Sequence, residues 1–150
     1  MSHTYTNLLY HIVFSTKERR PFIDAELKPR LHGYLGGIAT DIDCTPLKIG
    51  GVADHVHLLL KIPAKHSVSE VLRLLKSNSS GWVHGQFSHL KKFAWQEGYG
   101  AFTVSASKKS DVENYIANQE EHHRHRSFQE EFLAILERHE VEFDAATIWL

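Results

Sequence analysis

Two histidines, His55 and His57, alternate with apolar residues in the segment 54–60. Successive side chains of a β-strand point to opposite faces, so both imidazoles would share one face while Val56 and Leu58 face a core. The two rings would stand about 7 Å apart along the strand, close enough for their nitrogens to converge on one ion. Two solvated histidines on the wet face of an amphipathic strand would give the same pattern, and the chain has 12 histidines.

A phenol and an amide form a second pair, because Tyr115 and Gln119 are four residues apart. On a helix they would lie on one face, beside an apolar stripe that includes Val112 and Ile116. A tyrosine that packs against its neighbours and keeps a wet hydroxyl would give the same spacing. The spacing alone therefore leaves both a functional surface and a packing surface open.

A dense cluster of histidines and arginines follows at residues 122–126. His122 and His125 could bind a metal ion, but we favour a solvated helix end, where cations complement the helix dipole. Other basic residues stand in loops and on polar helix faces, where they could contact phosphates or be solvated. The candidates for phosphate contact are Lys17, Arg19, Arg20, Arg73, Lys76, Lys91, Lys92, Lys108 and Lys109.

Periodicity and capping signals predict the elements that would position these residues. Strands are expected where apolar and β-branched residues run between turn signals, and helices where apolar residues recur every three to four positions. The predicted strands are residues 5–14, 45–52, 54–62 and 99–105. The predicted helices begin at an Asp24 cap and at capping boxes that start at Ser67, Ser110 and Ser127. We expect the Ser110 helix to run to the histidine cluster.

The resulting order is strand, helix, strand, strand, helix, strand and then two helices. This is the ferredoxin-like split βαβ pattern of an α+β protein. It predicts a four-stranded antiparallel sheet with two helices on one face and with the first and third strands central. The opposite face would be free for the helix that carries Tyr115, and a metal site could form between that helix and the sheet.

Length and composition predict one domain of residues 1–150, with 42% hydrophobic residues to form its core. The beginning of the sequence lacks the features of a signal peptide, and no apolar run approaches the ~20 residues of a membrane span, so we expect a cytoplasmic protein. Cys44 is the only cysteine, which excludes an internal disulfide and a thiolate zinc cluster.

The charge is divided unevenly along the chain. Residues 1–110 hold 14 Lys and Arg against 8 Asp and Glu, whereas residues 111–150 hold 3 against 10. A basic body suits a phosphate-bearing partner. The acidic tail could be a solvated helix face or could dock on the basic body of its own or a neighbouring chain, and we favour the solvated face.

The combination resembles the single-tyrosine transposases of the HUH class, which are the IS200-like transposases of the smallest bacterial insertion sequences, and the related repeat-associated tyrosine transposases. The resemblance rests on the His-hydrophobe-His segment 54–60 and on the tyrosine segment 115–119, in that order. Segments 5–14, 74–77 and 95–100 also read like the family. The similarity spans residues 5–126, which would form the catalytic core, with a helical tail at 127–150.

The resemblance implies the roles of the site residues. His55, His57 and Gln119 would hold one divalent cation, Mn²⁺ or Mg²⁺, as a Lewis acid on a DNA phosphate. Tyr115 would attack that phosphate, form a 5′-phosphotyrosine and release a 3′-hydroxyl, without any nucleotide cofactor. The phosphotyrosine stays activated, because phenoxide is a better leaving group than a sugar alkoxide.

The resemblance also implies the partners. The substrate would be single-stranded DNA with hairpins near the ends of the element, and two chains would form a homodimer because each carries one nucleophile. In the family the tyrosine helix of one subunit completes the histidine site of the other, and the sequence leaves open whether this active site forms in cis or in trans. Two rival functions also stay open: a non-catalytic nucleic-acid-binding module, and a metal-dependent phosphoesterase that uses a metal-bound water.

Overall fold

The computed structural model describes residues 3–149, and the rest of the predicted domain, residues 1, 2 and 150, lies outside this range. The strands are β1 (Leu9–Ser15), β2 (Thr45–Val52), β3 (His55–Lys61) and β4 (Gly100–Val104). The helices are α1 (Leu27–Asp41), α2 (Val68–Gln86), α3 (Lys109–Ala117), α4 (Gln119–His122) and α5 (Phe128–Arg138). Short 3-10 turns lie at Lys17–Arg19, Ser88–Leu90 and Ala106–Lys108.

The four strands form one antiparallel sheet in the order β2-β3-β1-β4. This order places the first and third strands in the centre, as the split βαβ pattern predicts. The α+β fold class expected from the sequence is thus confirmed. The register of the central pair sets Val13 opposite His57 and Ser15 opposite His55.

Each face of the sheet is covered by different helices. On one face, Ile12, Phe14 and Leu58 pack in a core with residues of α1 and α2. On the other face, Val13 and Phe102 pack against α5. The inner residues of α5 are those that the helical period predicts, namely Phe128, Phe132, Ile135 and Leu136. The second face therefore carries the two histidines and an apolar surface on which α5 packs.

The predicted capping signals have mixed outcomes. Ser67 and Ser127 each accept a hydrogen bond from the backbone three residues ahead, which confirms both as helix N-caps. The reciprocal bond that completes a capping box is present at Ser127, whereas the Glu70 carboxylate pairs with Arg73 instead of Ser67 N. The Ser110 box is wrong, since α3 begins at Lys109 and Ser110 lies inside the helix. The 3-10 turn that precedes α3 runs directly into it, so the chain at Ser110 lacks the extended conformation of a cap.

The boundaries of three other elements differ from the prediction. β1 begins at Leu9 rather than at residue 5, and Tyr5 is 89% exposed. The helix predicted to run to the histidine cluster is interrupted at Asn118, whose side-chain amide donates to Asn114 O at 2.8 Å and so competes with the helical pattern. α1 begins at Leu27 rather than directly after the predicted Asp24 cap, although the Asp24 side chain accepts a hydrogen bond from Leu27 N at 2.8 Å.

Within residues 3–149, no helix combines the length and the hydrophobicity that a membrane span requires.

Candidate metal and nucleophile site

The two histidines of β3 are buried side by side. Residues 55 and 57 point to the same face of the sheet, as the strand period requires, and their ring centroids are 5.0 Å apart. Both side chains are fully buried, because α3, α4 and α5 cover that face. A pair of solvated histidines is therefore excluded.

Glu131 of α5 reaches the same point from the far end of the chain. Its Oε1 lies 3.0 Å from His57 Nε2 and 3.2 Å from His55 Nε2. One ligand atom from each of these three residues lies within 4.8 Å of the others, a grouping that could hold a metal ion. The solvated face predicted for the acidic tail is thus wrong at Glu131, which is 2% exposed.

The sequence contains a signal for Glu131 that periodicity reasoning overlooked. Residue 131 is three positions after Phe128 and four before Ile135, so it lies within the apolar stripe of α5. A carboxylate within such a stripe is buried with the stripe and needs a partner. Its partners in this fold are imidazoles of β3.

Each histidine of β3 has a second partner at its other ring nitrogen. His55 Nδ1 lies 2.7 Å from Asp54 Oδ1, and His57 Nδ1 lies 2.8 Å from His11 Nε2. In the tautomers that carry the proton on Nδ1, both rings donate to these partners and present Nε2 to the shared site. Such contacts fix the orientation and tautomer of metal-binding histidines.

Tyr115 of α3 and Gln119 of α4 also contact Glu131. The Tyr115 hydroxyl donates a short hydrogen bond to Glu131 Oε2. Gln119 Nε2 donates to the same oxygen at 3.2 Å, and Gln119 Oε1 lies 3.1 Å from His55 Nε2. Although the helix is interrupted at Asn118, the two side chains keep the common face that their spacing predicts.

The histidine cluster contributes a different residue from those singled out in the sequence. His123 Nε2 lies 3.0 Å from Glu131 Oε1 and 3.1 Å from Gln119 Oε1. His122 packs instead on the Tyr115 ring at 4.7 Å between centroids, and His125 is exposed. His123 is four residues after Gln119 and eight after Tyr115, so the same helical spacing, extended by one turn, predicts the histidine that faces the site.

Burial and hydrogen bonding shift the protonation of the cluster. Burial lowers the pKa of His55, but hydrogen bonds to Asp54 and Glu131 outweigh it and raise that pKa to about 9. Burial also lowers the pKa values of His57 and, to about 3, of His11. Burial raises the pKa of Glu131, yet hydrogen bonds from His123 and the two β3 histidines hold it well below its usual range. Protonated His55 therefore faces an ionised carboxylate.

Tyr115, the candidate nucleophile, is kept in its protonated form by burial and by its hydrogen bond to Glu131. Burial raises the pKa of Tyr115 above its usual value, and the hydrogen bond to Glu131 raises it further. Bringing a divalent cation to the site would displace the proton of His55 and favour ionisation of nearby acids.

The donor set fits a divalent cation. Two imidazole nitrogens, one carboxylate oxygen and one amide oxygen converge, and nitrogen with hard oxygen donors suits Mn²⁺, with Mg²⁺ bound through the oxygens. The site has the negative charge, the converging ligand atoms and the orienting contacts that such an ion requires.

Comparisons with known proteins identify the family. The model of the family described as "Transposase IS200 like" matches residues 4–119. The chain belongs to the IS200-like transposases. The transposase for insertion sequence element IS200 of Salmonella typhimurium is 34% identical over 124 residues, which cover 79% of this chain and 81% of that protein. The ISDra2 transposase TnpA of Deinococcus radiodurans is 26% identical over 117 residues, covering 75% and 84%.

Two solved structures share the fold of this transposase. A putative transposase from Deinococcus radiodurans R1 superposes with a TM-score of 0.65 at 28% identity, covering 79% of this chain and 96% of that one. A REP-associated tyrosine transposase bound to a REP hairpin gives a TM-score of 0.58 at 15% identity, covering 79% and 70%. Because the family match ends at residue 119, Glu131 and all of α5 lie beyond it.

The basic residues predicted to contact DNA lie at several places on this transposase. Arg20, Arg73, Lys108 and Lys109 form exposed ion pairs with neighbouring acids. Arg19 lies over the ring of Trp149, at 5.2 Å from its centroid. Lys76 differs from the rest, because its half-buried ammonium donates to Gln96 O and Gly98 O at 2.6 Å and holds the loop before β4. Its role in DNA contact stays a prediction, as do those of the others.

Proposed function

We propose that this transposase cleaves and rejoins single-stranded DNA through a 5′-phosphotyrosine formed on Tyr115. One observation carries the proposal: a single buried carboxylate, Glu131, touches both the tyrosine hydroxyl and the two histidines. The nucleophile and the candidate metal ligands are thus adjacent, which is the arrangement that metal-assisted attack on a phosphate needs.

We propose that His55, His57, Gln119 and Glu131 hold one divalent cation, Mg²⁺ or Mn²⁺. When bound, the ion would act as a Lewis acid on the scissile phosphate. His11 and Asp54 orient the two imidazoles from behind, and burial of the four ligands keeps competing water away from the site.

The remaining steps are carried by the protein side chains. The Tyr115 oxygen bonds to phosphorus as the bond from phosphorus to the 3′-oxygen breaks, and that oxygen takes up a proton to become a 3′-hydroxyl. Glu131 Oε2 accepts the hydrogen bond from the phenol and so orients the hydroxyl, and the proton that the phenol loses balances the one that the 3′-oxygen takes up. A 3′-hydroxyl of another strand then attacks the phosphotyrosine, which restores the tyrosine without a nucleotide cofactor.

We propose that the substrate is single-stranded DNA with hairpins near the ends of the element. A flexible strand can bring its backbone to a recessed tyrosine and leave its bases free for stacking. The solved structure of a REP-associated transposase holds a REP hairpin, which is a precedent for hairpin binding on this fold at 15% identity. Lys17, Arg19, Arg20, Arg73, Lys108 and Lys109 remain the proposed backbone contacts, with Lys76 a weaker candidate because its ammonium is engaged.

We propose that each active site is completed in cis and that two chains cooperate as a homodimer. Tyr115 contacts Glu131 of its own chain, and its ring centroid lies 5.8 Å from that of His57. One nucleophile per chain still gives one covalent link per site, so moving two ends of an element requires two chains.

The test is a denaturing protein gel after incubation with end-labelled single strands from both flanks of the gene. A labelled adduct that needs Mn²⁺ or Mg²⁺, and that is absent with Tyr115→Phe, is the expected result. Cleavage without an adduct would favour the metal-dependent phosphoesterase, and binding without cleavage by any flanking strand would favour the non-catalytic module. Tyr34→Phe is the matched control, since that tyrosine packs on Trp82 among the residues that cover the other face of the sheet.

A further inference from the structure

A cavity of about 520 Å³ lies between β4, α3 and α5, beside Tyr115. Its volume is within the range of ligand-binding pockets, roughly 300–1,000 Å³. Tyr115 forms part of its wall, and His11 and Ile135 form buried parts. A ligand in this cavity would thus lie against the nucleophile.

The rim of the cavity carries positive charge from two elements. Lys108 ends the 3-10 turn before α3 and Arg138 ends α5, and both side chains are exposed. The rim also holds one acidic residue, Asp111, whose Oδ2 lies 3.7 Å from Lys108 Nζ. Within residues 3–149 no ion pair engages Arg138, so its guanidinium is available to an anion.

The rest of the lining suits a nucleotide. Val112 and Ile135 offer an apolar surface of the kind that a sugar or base covers, while Thr103 and Ser105 offer hydroxyl groups at the end of β4. A guanidinium beside an apolar wall can pair with a phosphate and leave the base and sugar to pack.

We propose that this cavity binds the DNA strand next to the scissile phosphate, with Arg138 neutralising the adjacent phosphodiester. The inference rests on the proposed function, because it assigns the path by which a single strand reaches Tyr115. It adds a binding role for α5, which lies beyond the residues matched by the family.

The test measures the affinity of the full chain for the labelled strand that gives the adduct, by fluorescence anisotropy in chelator and at several salt concentrations. Arg138→Gln is compared with Lys65→Gln, which removes the same charge from an exposed residue paired with Asp43 outside the cavity. We expect Arg138→Gln to weaken binding roughly fivefold or more and to reduce the slope of log affinity against log salt by about 0.7, the value for one phosphate contact. Lys65→Gln should leave both unchanged.

Single methylphosphonates placed along the strand identify the contact. At one position beside the cleavage site, the neutral linkage should weaken binding by the wild-type chain and have no further effect on Arg138→Gln. Equal affinities for Arg138→Gln and Lys65→Gln, or effects that add at every position, would overturn the inference. Adduct formation by the wild-type chain alongside such a result would leave the proposed function intact, whereas a wild-type chain that neither binds nor forms an adduct with any strand from the flanks of the gene would overturn both.

Discussion

Glu131 is the residue at which the two halves of the site meet. Its Oε1 lies against the imidazoles of β3, and its Oε2 accepts hydrogen bonds from Tyr115 and Gln119. Burial opposes its ionisation, but the surrounding hydrogen bonds outweigh that effect and keep its pKa low. A divalent cation would thus find a charged oxygen between two ring nitrogens.

Replacing this carboxylate should weaken metal binding. Glu131→Gln keeps the size of the side chain but removes the negative charge, so we expect the dissociation constant for Mn²⁺, measured by titration calorimetry, to rise at least tenfold, on the scale of about 10–100-fold for groups that support a metal site. Glu137→Gln, an exposed neighbour on the same helix, is the matched control. Equal affinities for the two variants would remove Glu131 from the ligand set.

At this scale, local spacing predicts only part of the site. His55 with His57, and Tyr115 with Gln119, share faces because strand and helix periods act over two and four residues. Glu131 is 74 residues from His57 in the chain, and no local period connects them. Its pairing depends on how α5 packs on the sheet, which follows from the whole set of apolar residues on that face.

The close contact of β2 with α3 fixes the height of the tyrosine helix above the sheet. A Cβ atom built on Gly50 would lie 2.9 Å from Ile116 Cγ2 and would also meet the Ile116 carbonyl. Because Ile116 directly follows Tyr115, the absence of a side chain at Gly50 lets the nucleophile approach the histidines. The glycine therefore acts through packing.

Adding a methyl group at this contact should displace α3. We expect Gly50→Ala to lower the free energy of unfolding by roughly 1–3 kcal/mol, as overpacking usually does, and to reduce adduct formation. Gly85→Ala in α2 is the control, since a Cβ atom at Gly85 would have no neighbour within 4 Å. It should stabilise the chain by up to about 1 kcal/mol, because alanine favours a helix more than glycine does. Equal stability and activity of Gly50→Ala and the wild type would contradict the role given to this contact. Denaturant unfolding and the gel assay check both results.

The type and order of the elements follow from the sequence more reliably than their ends. Strong periods and the Ser67 and Ser127 boxes gave correct elements, whereas the same box pattern at Ser110 did not. A capping box predicts a helix start only where the preceding chain is extended, and the 3-10 turn at Ala106–Lys108 cannot be told from a loop by composition.

The whole chain brings three distant segments to one face of the sheet. The histidines come from a central strand, the tyrosine from α3 and the carboxylate from α5, and the split βαβ topology leaves that face open for both helices. The basic body (residues 1–110) and the acidic tail (residues 111–150) are in contact at this face, where Glu131 meets the β3 histidines. One chain thus supplies every group proposed for the site.

Completion of the site within one chain can be tested by mixing inactive variants. Tyr115→Phe lacks the nucleophile and His57→Ala lacks a metal ligand, so a cis site leaves each chain deficient. We expect no adduct after the two variants are unfolded and refolded together, although each should retain the fold by circular dichroism. An adduct formed by the mixture would require a site shared between chains and would contradict the cis arrangement.

The most direct test of the central claim is to identify the residue that carries the DNA. The wild-type chain is incubated with Mn²⁺ and the reactive single strand, digested with trypsin and analysed by mass spectrometry. Cleavage after Lys109 and Arg124 releases residues 110–124, in which Tyr115 is the only one of the chain's five tyrosines. We predict that a nucleotide is attached through its 5′-phosphate to this peptide at Tyr115. Attachment to another peptide, or DNA cleavage with no attached nucleotide, would contradict the account.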